Sequence, residues 1–126
     1  LNNVDVSFFK INILQPEITE TLPTFDLIVS NPPYVRNGEK SQMEANVLNY
    51  EPGLALFVPD DDPLQFYRAI LAFAKEKLKP KGKIYWEINE ALGQECSRLL
   101  QNEGYKIIVI RNDIYEKNRM ISAQKP

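Results

Sequence analysis

Two adjacent prolines, Pro32 and Pro33, close the run Phe25-Asp26-Leu27-Ile28-Val29-Ser30-Asn31, and they restrict what this chain can fold into more than any other feature. Neither proline can donate a ladder hydrogen bond, and a residue that precedes a proline is pushed out of the helical region, so Asn31 and Pro32 are both expected to be extended. Four of the first five residues of the run are apolar. Such a run reads as a strand buried on both faces, which needs no alternation of polar and apolar positions. A strand that ends in a stiff loop places that loop where open α/β sheets bind their ligands, beyond the carboxyl ends of the strands.

The loop carries its own chemistry. With two consecutive N–H groups missing, the local surface is rich in acceptors, namely the Asn31 side-chain oxygen and the backbone carbonyls, with Tyr34 as an adjacent flat face. A planar NH2 group suits that surface: one hydrogen to Asn31, the other to the Pro32 carbonyl, and Tyr34 packed against the plane. Fixing a nitrogen in this way aims its lone pair, and orientation of that kind is worth up to ~7–11 kcal/mol in ideal cases. The plainer alternative is a proline-rich turn that only ends a strand.

Composition narrows the chemistry further. The 126 residues make one domain or part of one, with 44% hydrophobic and 25% charged residues, enough to bury a core. A net charge of −2 and a pI near 5.2 argue against direct binding of nucleic acid, which needs clustered positive charge. The densest basic group, Lys75, Lys77, Lys79, Lys81 and Lys83, surrounds an expected helix end, where cations are favoured by the helix dipole. There is no histidine, so imidazole bases and histidine-containing zinc sites have no residue to form them. The single Cys96 permits no internal disulfide, which fits a reducing, cytoplasmic compartment. No apolar stretch approaches ~20 residues and no basic-then-apolar leader opens the sequence, so neither a membrane span nor a signal peptide is expected. A first residue of Leu1 suggests a truncated or processed product.

Along the chain, Val6 to Ile13 reads as a strand and Gln15 to Thr24 as a loop. Val35 to Glu51 is polar, with Asn37-Gly38 as a turn and Met43 to Tyr50 as one or two helical turns. Asp62, Pro63 and Gln65 predict a helix start, with Asp62 as N-cap, Pro63 as first helical residue and Gln65 as capping-box partner; no metal site is expected of Asp60, Asp61 and Asp62. Tyr67, Ile70, Leu71, Ala74 and Leu78 recur at helical spacing, and the helix should end before Pro80 and Gly82. Lys83 to Ile88 predicts a strand with Glu87 late in it, either a polar group at the same rim or a structural acid. Asn89 should cap a helix with Leu92, Cys96, Leu99 and Leu100 inward and Gly104 as its stop. Tyr105 to Ile110 and Arg119 to Ala123 are then strands, antiparallel because the connection is short.

Asn31-Pro32-Pro33-Tyr34 resembles the NPPY motif of class I, S-adenosylmethionine-dependent methyltransferases that act on planar nitrogens. Glu51-Pro52-Gly53-Leu54-Ala55-Leu56 is similar to the EP-x-x-AL segment of protein-(glutamine-N5) methyltransferases that modify peptide chain release factors, and Arg111-Asn112-Asp113 with Arg119 resembles their terminal "RD … R" hairpin. The resemblance implies S-adenosyl-L-methionine as cofactor and the glutamine of a release factor's Gly-Gly-Gln loop as substrate. It implies Asn31, Pro32 and Tyr34 as catalytic residues, with Pro33 and Glu51 also at the substrate. Asn12 lies where the family commonly places an acid on the adenine amino group, so Asn12 and Asn31 are the candidate cofactor contacts. The implied fold is α/β, the later half of a Rossmann-like sheet of order 3-2-1-4-5-7-6 with a carboxyl-terminal antiparallel hairpin. Residues 1–126 would form a partial catalytic domain without the first two strands and without the glycine-rich loop, since the five glycines make no Gly-x-Gly pattern. An apolar strand left with a free edge is a template for pairing, so a homodimer through that edge, segment exchange or disorder is expected of an isolated fragment, which should be inactive. Two alternatives remain open at this point: an enzyme that methylates amino groups of nucleic acid, such as adenine N6, and a non-catalytic binding or assembly module.

Overall fold

The computed structural model describes residues 2–15, 22–43 and 52–126. Its centre is a four-stranded sheet of order β1-β4-β6-β5, built from β1 (Phe25–Ser30), β4 (Leu78–Glu87), β5 (Lys106–Asn112) and β6 (Asn118–Gln124). β1 runs parallel to β4, with Ile28 opposite Ile84 and Ser30 opposite Trp86; β6 runs antiparallel to both β4 and β5. This is the order that the resemblance implied for the last four strands. A separate two-stranded parallel ladder pairs β2 (Val35–Arg36) with β3 (Phe57–Val58). Between them lie a 3₁₀ helix (Asn37–Gln42), the single-turn α1 (Gly53–Leu56), the long helix α2 (Gln65–Lys77), a second 3₁₀ turn (Glu90–Leu92) and α3 (Gly93–Asn102).

Both long helices cover one face of the sheet. Tyr67, Ile70, Leu71 and Ala74 of α2, with Leu92 ahead of α3 and Cys96 and Leu100 within it, pack on Ile84, Trp86, Ile121 and Ala123 from β4 and β6. Alternation along β4 follows directly: Ile84 and Trp86 are buried while Lys83 and Tyr85 face out. The Tyr67 and Trp86 rings lie 5.1 Å apart, and full burial of side chains this size contributes ~1.5–3 kcal/mol each. Cys96 is a core hydrophobe, its thiol pushed up to about 12 by burial first and by Glu95 second. On the opposite face Leu27 is 50% and Val29 is 71% exposed. β1 is therefore covered on one face only, which corrects the expectation of a strand buried on both. An unbroken apolar run reports what a strand is able to bury, whichever segment does the covering.

Two further expectations are corrected. Val6 to Ile13 forms no strand: residues 2–12 carry no regular structure, Phe8 is 91% exposed, and β1 occupies the edge of the sheet with no strand among the described residues on its outer side. The helix foreseen from Asp62 begins instead at Gln65, with Leu64 as a cap that receives no side-chain hydrogen bond. Asp62 is drawn into an ion pair with Arg68, and Pro63 lies in the turn before the helix. The turns foreseen for Met43 to Tyr50 fall, beyond Met43, outside the described residues.

Other local rules hold. Gly104 takes φ +80°, and Tyr105 N–H donates to the Leu100 carbonyl at 3.0 Å while Gly104 N–H donates to Gln101 at 2.9 Å, the paired bonds of a Schellman stop. The carbonyls at the end of α2 are met by lysine: Lys125 Nζ donates to the carbonyls of Ala74, Lys75 and Leu78 at 3.0, 2.7 and 2.7 Å. Lys77 reaches the Leu22 carbonyl and Lys79 both oxygens of Asp26, so two of the five lysines of the basic group are engaged locally. Among the described residues no helix is long and apolar enough to cross a membrane.

Where α2 passes into β4 the backbone turns sharply, with Lys81 at φ +62° and Gly82 buried beneath Leu78. A Cβ on Gly82 would stand 2.7 Å from Leu78 Cδ1 and 2.8 Å from the Lys79 carbonyl oxygen. Gly82→Ala should therefore lower stability by ~1–3 kcal/mol, read as an earlier midpoint in denaturant unfolding; an unchanged midpoint would mean that the turn yields freely.

Candidate active site at the carboxyl ends of the parallel strands

β1 and β4 run side by side and finish together, so Asn31 and the residues after Glu87 meet at one rim. The loop Asn31 to Tyr34 has two residues without N–H groups and cannot hold itself by a backbone ladder. Side chains of the neighbouring strand hold it instead. The Tyr34 hydroxyl donates a hydrogen bond to Glu87 Oε1, and at the other end of the same residue Asn89 Nδ2 donates to the Tyr34 carbonyl at 3.1 Å. Asn89 is buried and fully occupied: its Nδ2 also reaches Glu39 Oε2 at 2.9 Å, and its Oδ1 accepts from the Ala91 N–H at 2.9 Å. One carboxamide thus ties the loop, the 3₁₀ helix after β2 and the start of the next helical turn.

Glu39 continues the arrangement. Its Oε2 accepts from the Arg36 N–H at 2.9 Å and its Oε1 from the Arg36 guanidinium at 2.8 Å. From the far side Asp60 Oδ1 accepts from the Gly38 N–H at 2.9 Å. Pairing of β2 with β3 then draws the residues after Pro52 back beside the loop.

Asn31 is exposed and lines two cavities. The first, about 510 Å³, is walled mainly by Leu27, Val29, Tyr85 and Met120, with Ser30, Asn31 and Glu87 supplying polar atoms. A second, of about 470 Å³, is formed by Asn31, Pro32, Tyr34, Val35, Met43, Ala55 and Leu56. Among the foreseen site residues, Asn31, Pro32 and Tyr34 are brought together here, with Pro33 half-buried between them. Glu51 lies outside the described residues. Asn12 lines neither cavity, and its side-chain oxygen accepts from the Leu14 N–H at 3.1 Å within its own turn. Among the described residues no group of three or more His, Cys, Asp or Glu side chains could hold a metal ion.

The electrostatics keep the loop's anchor neutral. Burial first, then the hydrogen bond and charge of Glu87, push the Tyr34 phenol up to about 12, against a smaller opposing pull from Arg119. Arg119 is itself held from β6, where its Nε donates to Asp113 Oδ2 at 3.2 Å. Sequence reasoning left Glu87 as either a polar group at the rim or a structural acid and did not foresee that it meets Tyr34. Nor did it foresee Asn89 as a double clamp, Glu39, or Met120 as a cavity wall. Asn89 carried only the signal of a helix cap, and contacts across 50 or more residues leave no local pattern.

No family model matches the chain. Among known proteins, it is 51% identical over 102 residues to a protein of Bacteroides thetaiotaomicron named release factor glutamine methyltransferase, covering 81% of this chain and 37% of that protein. It is 50% identical over 123 residues to one of the same name from Flavobacterium psychrophilum, covering 98% of this chain and 42% of that protein. A protein of Rickettsia typhi named bifunctional methyltransferase is 44% identical over 97 residues, covering 77% of this chain and 18% of its own length. The chain thus spans less than half the length of these relatives, and its match to the release factor glutamine methyltransferases lies in their carboxyl-terminal part.

A pH dependence follows from Glu39. Partial burial opposes its ionisation, but the Arg36 side chain and N–H and the Asn89 amide outweigh it and hold the carboxyl below its ordinary value of 4.5. A carboxylate with a lowered folded value stabilises the fold fully above the unfolded value, and that contribution is lost as pH falls through the folded one. Glu39→Gln should therefore flatten the acid limb of a thermal-midpoint profile between about pH 5 and pH 3. An acid limb as steep as that of the unsubstituted protein would assign the loss to other carboxylates.

Proposed function

We propose that this chain, which matches the carboxyl-terminal part of release factor glutamine methyltransferases, is the NPPY-bearing portion of an S-adenosylmethionine-dependent enzyme of that family that methylates N5 of the glutamine in a release factor's Gly-Gly-Gln loop. The observation that carries this reading is the place of Asn31, the residue that, among the described residues, lines both an apolar cavity and a mixed, more polar one. A group-transfer site needs such a meeting point, with donor on one side and acceptor on the other.

In this reading the second cavity receives the glutamine side chain. Asn31 Oδ1 accepts one hydrogen of its amide and the Pro32 carbonyl the other, and the Tyr34 ring packs against the amide plane. Two acceptors in fixed positions define that plane and turn the nitrogen toward the first cavity. Its lining fits one side of a large organic cation: apolar walls from Leu27, Val29, Tyr85 and Met120 suit flat apolar parts, and the Glu87 carboxylate lies at the rim where positive charge is favoured. S-adenosylmethionine, when bound, supplies an electrophilic methyl group on a sulfonium. Asn12 is a candidate contact to the adenine and Glu51 to the substrate peptide. The amide is a weak nucleophile, so the residues here act by orientation and by polarising the two N–H bonds, and a strong base is not required. Proteins longer than this chain, as its relatives are, would supply the remaining contacts.

Asn31→Ala in the full-length protein should lower turnover on a release-factor substrate by roughly 100-fold while leaving methyl-donor affinity nearly unchanged. Unchanged turnover would refute the assigned role of Asn31, and absence of methyl transfer to the glutamine by the unsubstituted full-length protein would refute the function.

A further inference from the structure

Asn31 lines both cavities, Glu87 only the first and Tyr34 only the second. Because the Tyr34 hydroxyl donates to Glu87 Oε1, the phenol and the carboxylate together cross the partition beside Asn31. Glu87 is well braced for that contact. Its backbone carbonyl accepts from the Tyr67 hydroxyl at 2.9 Å, and Tyr67 is fully buried against Trp86, so the end of β4 is fixed to the core. Tyr34 is braced as well, by Asn89 at its carbonyl. The segment Asn31 to Tyr34 therefore spans from the paired end of β1, where Ser30 lies opposite Trp86, to the two attachments of Tyr34, and the attitude of Asn31 follows from how both ends are held.

Resting on the functional reading above, we propose that Glu87 is a positioning residue for methyl transfer: by accepting the Tyr34 hydrogen bond across the partition, it fixes the loop that carries Asn31 and so sets the direction in which the substrate amide faces the first cavity. Glu87 takes no proton and forms no bond in this role. Misplacement of a reacting group by even about 1 Å costs roughly 100-fold in rate, so a hydrogen bond one residue removed from the substrate is enough to matter. Loss of the contact should appear in kcat, because the residues that hold donor and substrate otherwise remain in place.

The test uses the full-length protein that carries this chain, with kcat and both KM values measured for methyl transfer to a release factor. Tyr34→Phe and Glu87→Ala should each lower kcat by roughly tenfold to 100-fold with the KM for the release factor within about twofold. The double variant should lose no more than either single one, and Glu87→Gln, which keeps an acceptor for the phenol, should recover most of the rate. A measurement independent of activity accompanies these: in ring-carbon NMR of isotope-labelled tyrosine, the resonance absent from Tyr34→Phe should move in Glu87→Ala. Multiplying losses in the double variant, full kcat in either single variant, or a resonance that does not move would overturn the proposal. If the unsubstituted full-length protein transfers no methyl group to the glutamine, the functional reading falls and the positioning role with it; if Asn31→Ala retains full turnover, the role of Asn31 falls and the positioning role with it. If Asn31→Ala loses turnover while Glu87→Ala keeps it, only the positioning role falls.

Discussion

A loop that contains two prolines in four residues cannot be secured by its own backbone, and the surroundings of the site are arranged around that deficit. Strand β4 provides the means. Its last inward residue, Trp86, lies in the core, the next side chain, Glu87, turns to the rim, and Asn89 follows just past the end of the strand. Glu87 and Asn89 then take the two ends of Tyr34. Were β4 displaced, the loop would lose both attachments at once, and α2 would lose the contact of Tyr67 with Trp86.

Burial separates the two kinds of polar group in this region. Asn89 is buried with its donors and acceptor paired, which avoids the roughly 1–3 kcal/mol cost of an orphaned amide. Asn31, by contrast, is exposed at the junction of two cavities. A side-chain amide left open to exchange partners suits recognition, and one closed on all sides suits support. The same residue type thus serves opposite ends within one small network, and the difference lies in the number of neighbours already committed to it.

Much of the scaffold was legible in the sequence, and its limits have physical causes. The stripe Tyr67, Ile70, Leu71 and Ala74, the stop at Gly104 and the antiparallel pairing of β5 with β6 all rest on contacts or backbone rules that span a few residues. The start of α2 was misplaced because Asp62 had a competing partner in Arg68, and an ion pair to a side chain six residues on outbid the backbone cap. Val6 to Ile13 has the composition of a strand, yet a strand exists only by pairing, and no described strand pairs with it. At the site, Asn31, Pro32 and Tyr34 were foreseen because their chemistry is local and contiguous. Glu87's contact with Tyr34 and Asn89's grip on Tyr34 and Glu39 were hidden by sequence separations of 50 or more residues.

That same separation orders the assembly of the molecule in time. Hairpin β5–β6 and the passage from α3 into β5 close over short stretches of chain, whereas β1 finds β4 only by bringing Ile28 to Ile84 across the whole of the intervening sequence. Entropy of loop closure is paid before such a pairing returns anything, so contacts of this range tend to form late. The rim holding Asn31 is consequently among the last parts of the molecule to be completed, and its two cavities exist only once the rest has committed to the native sheet.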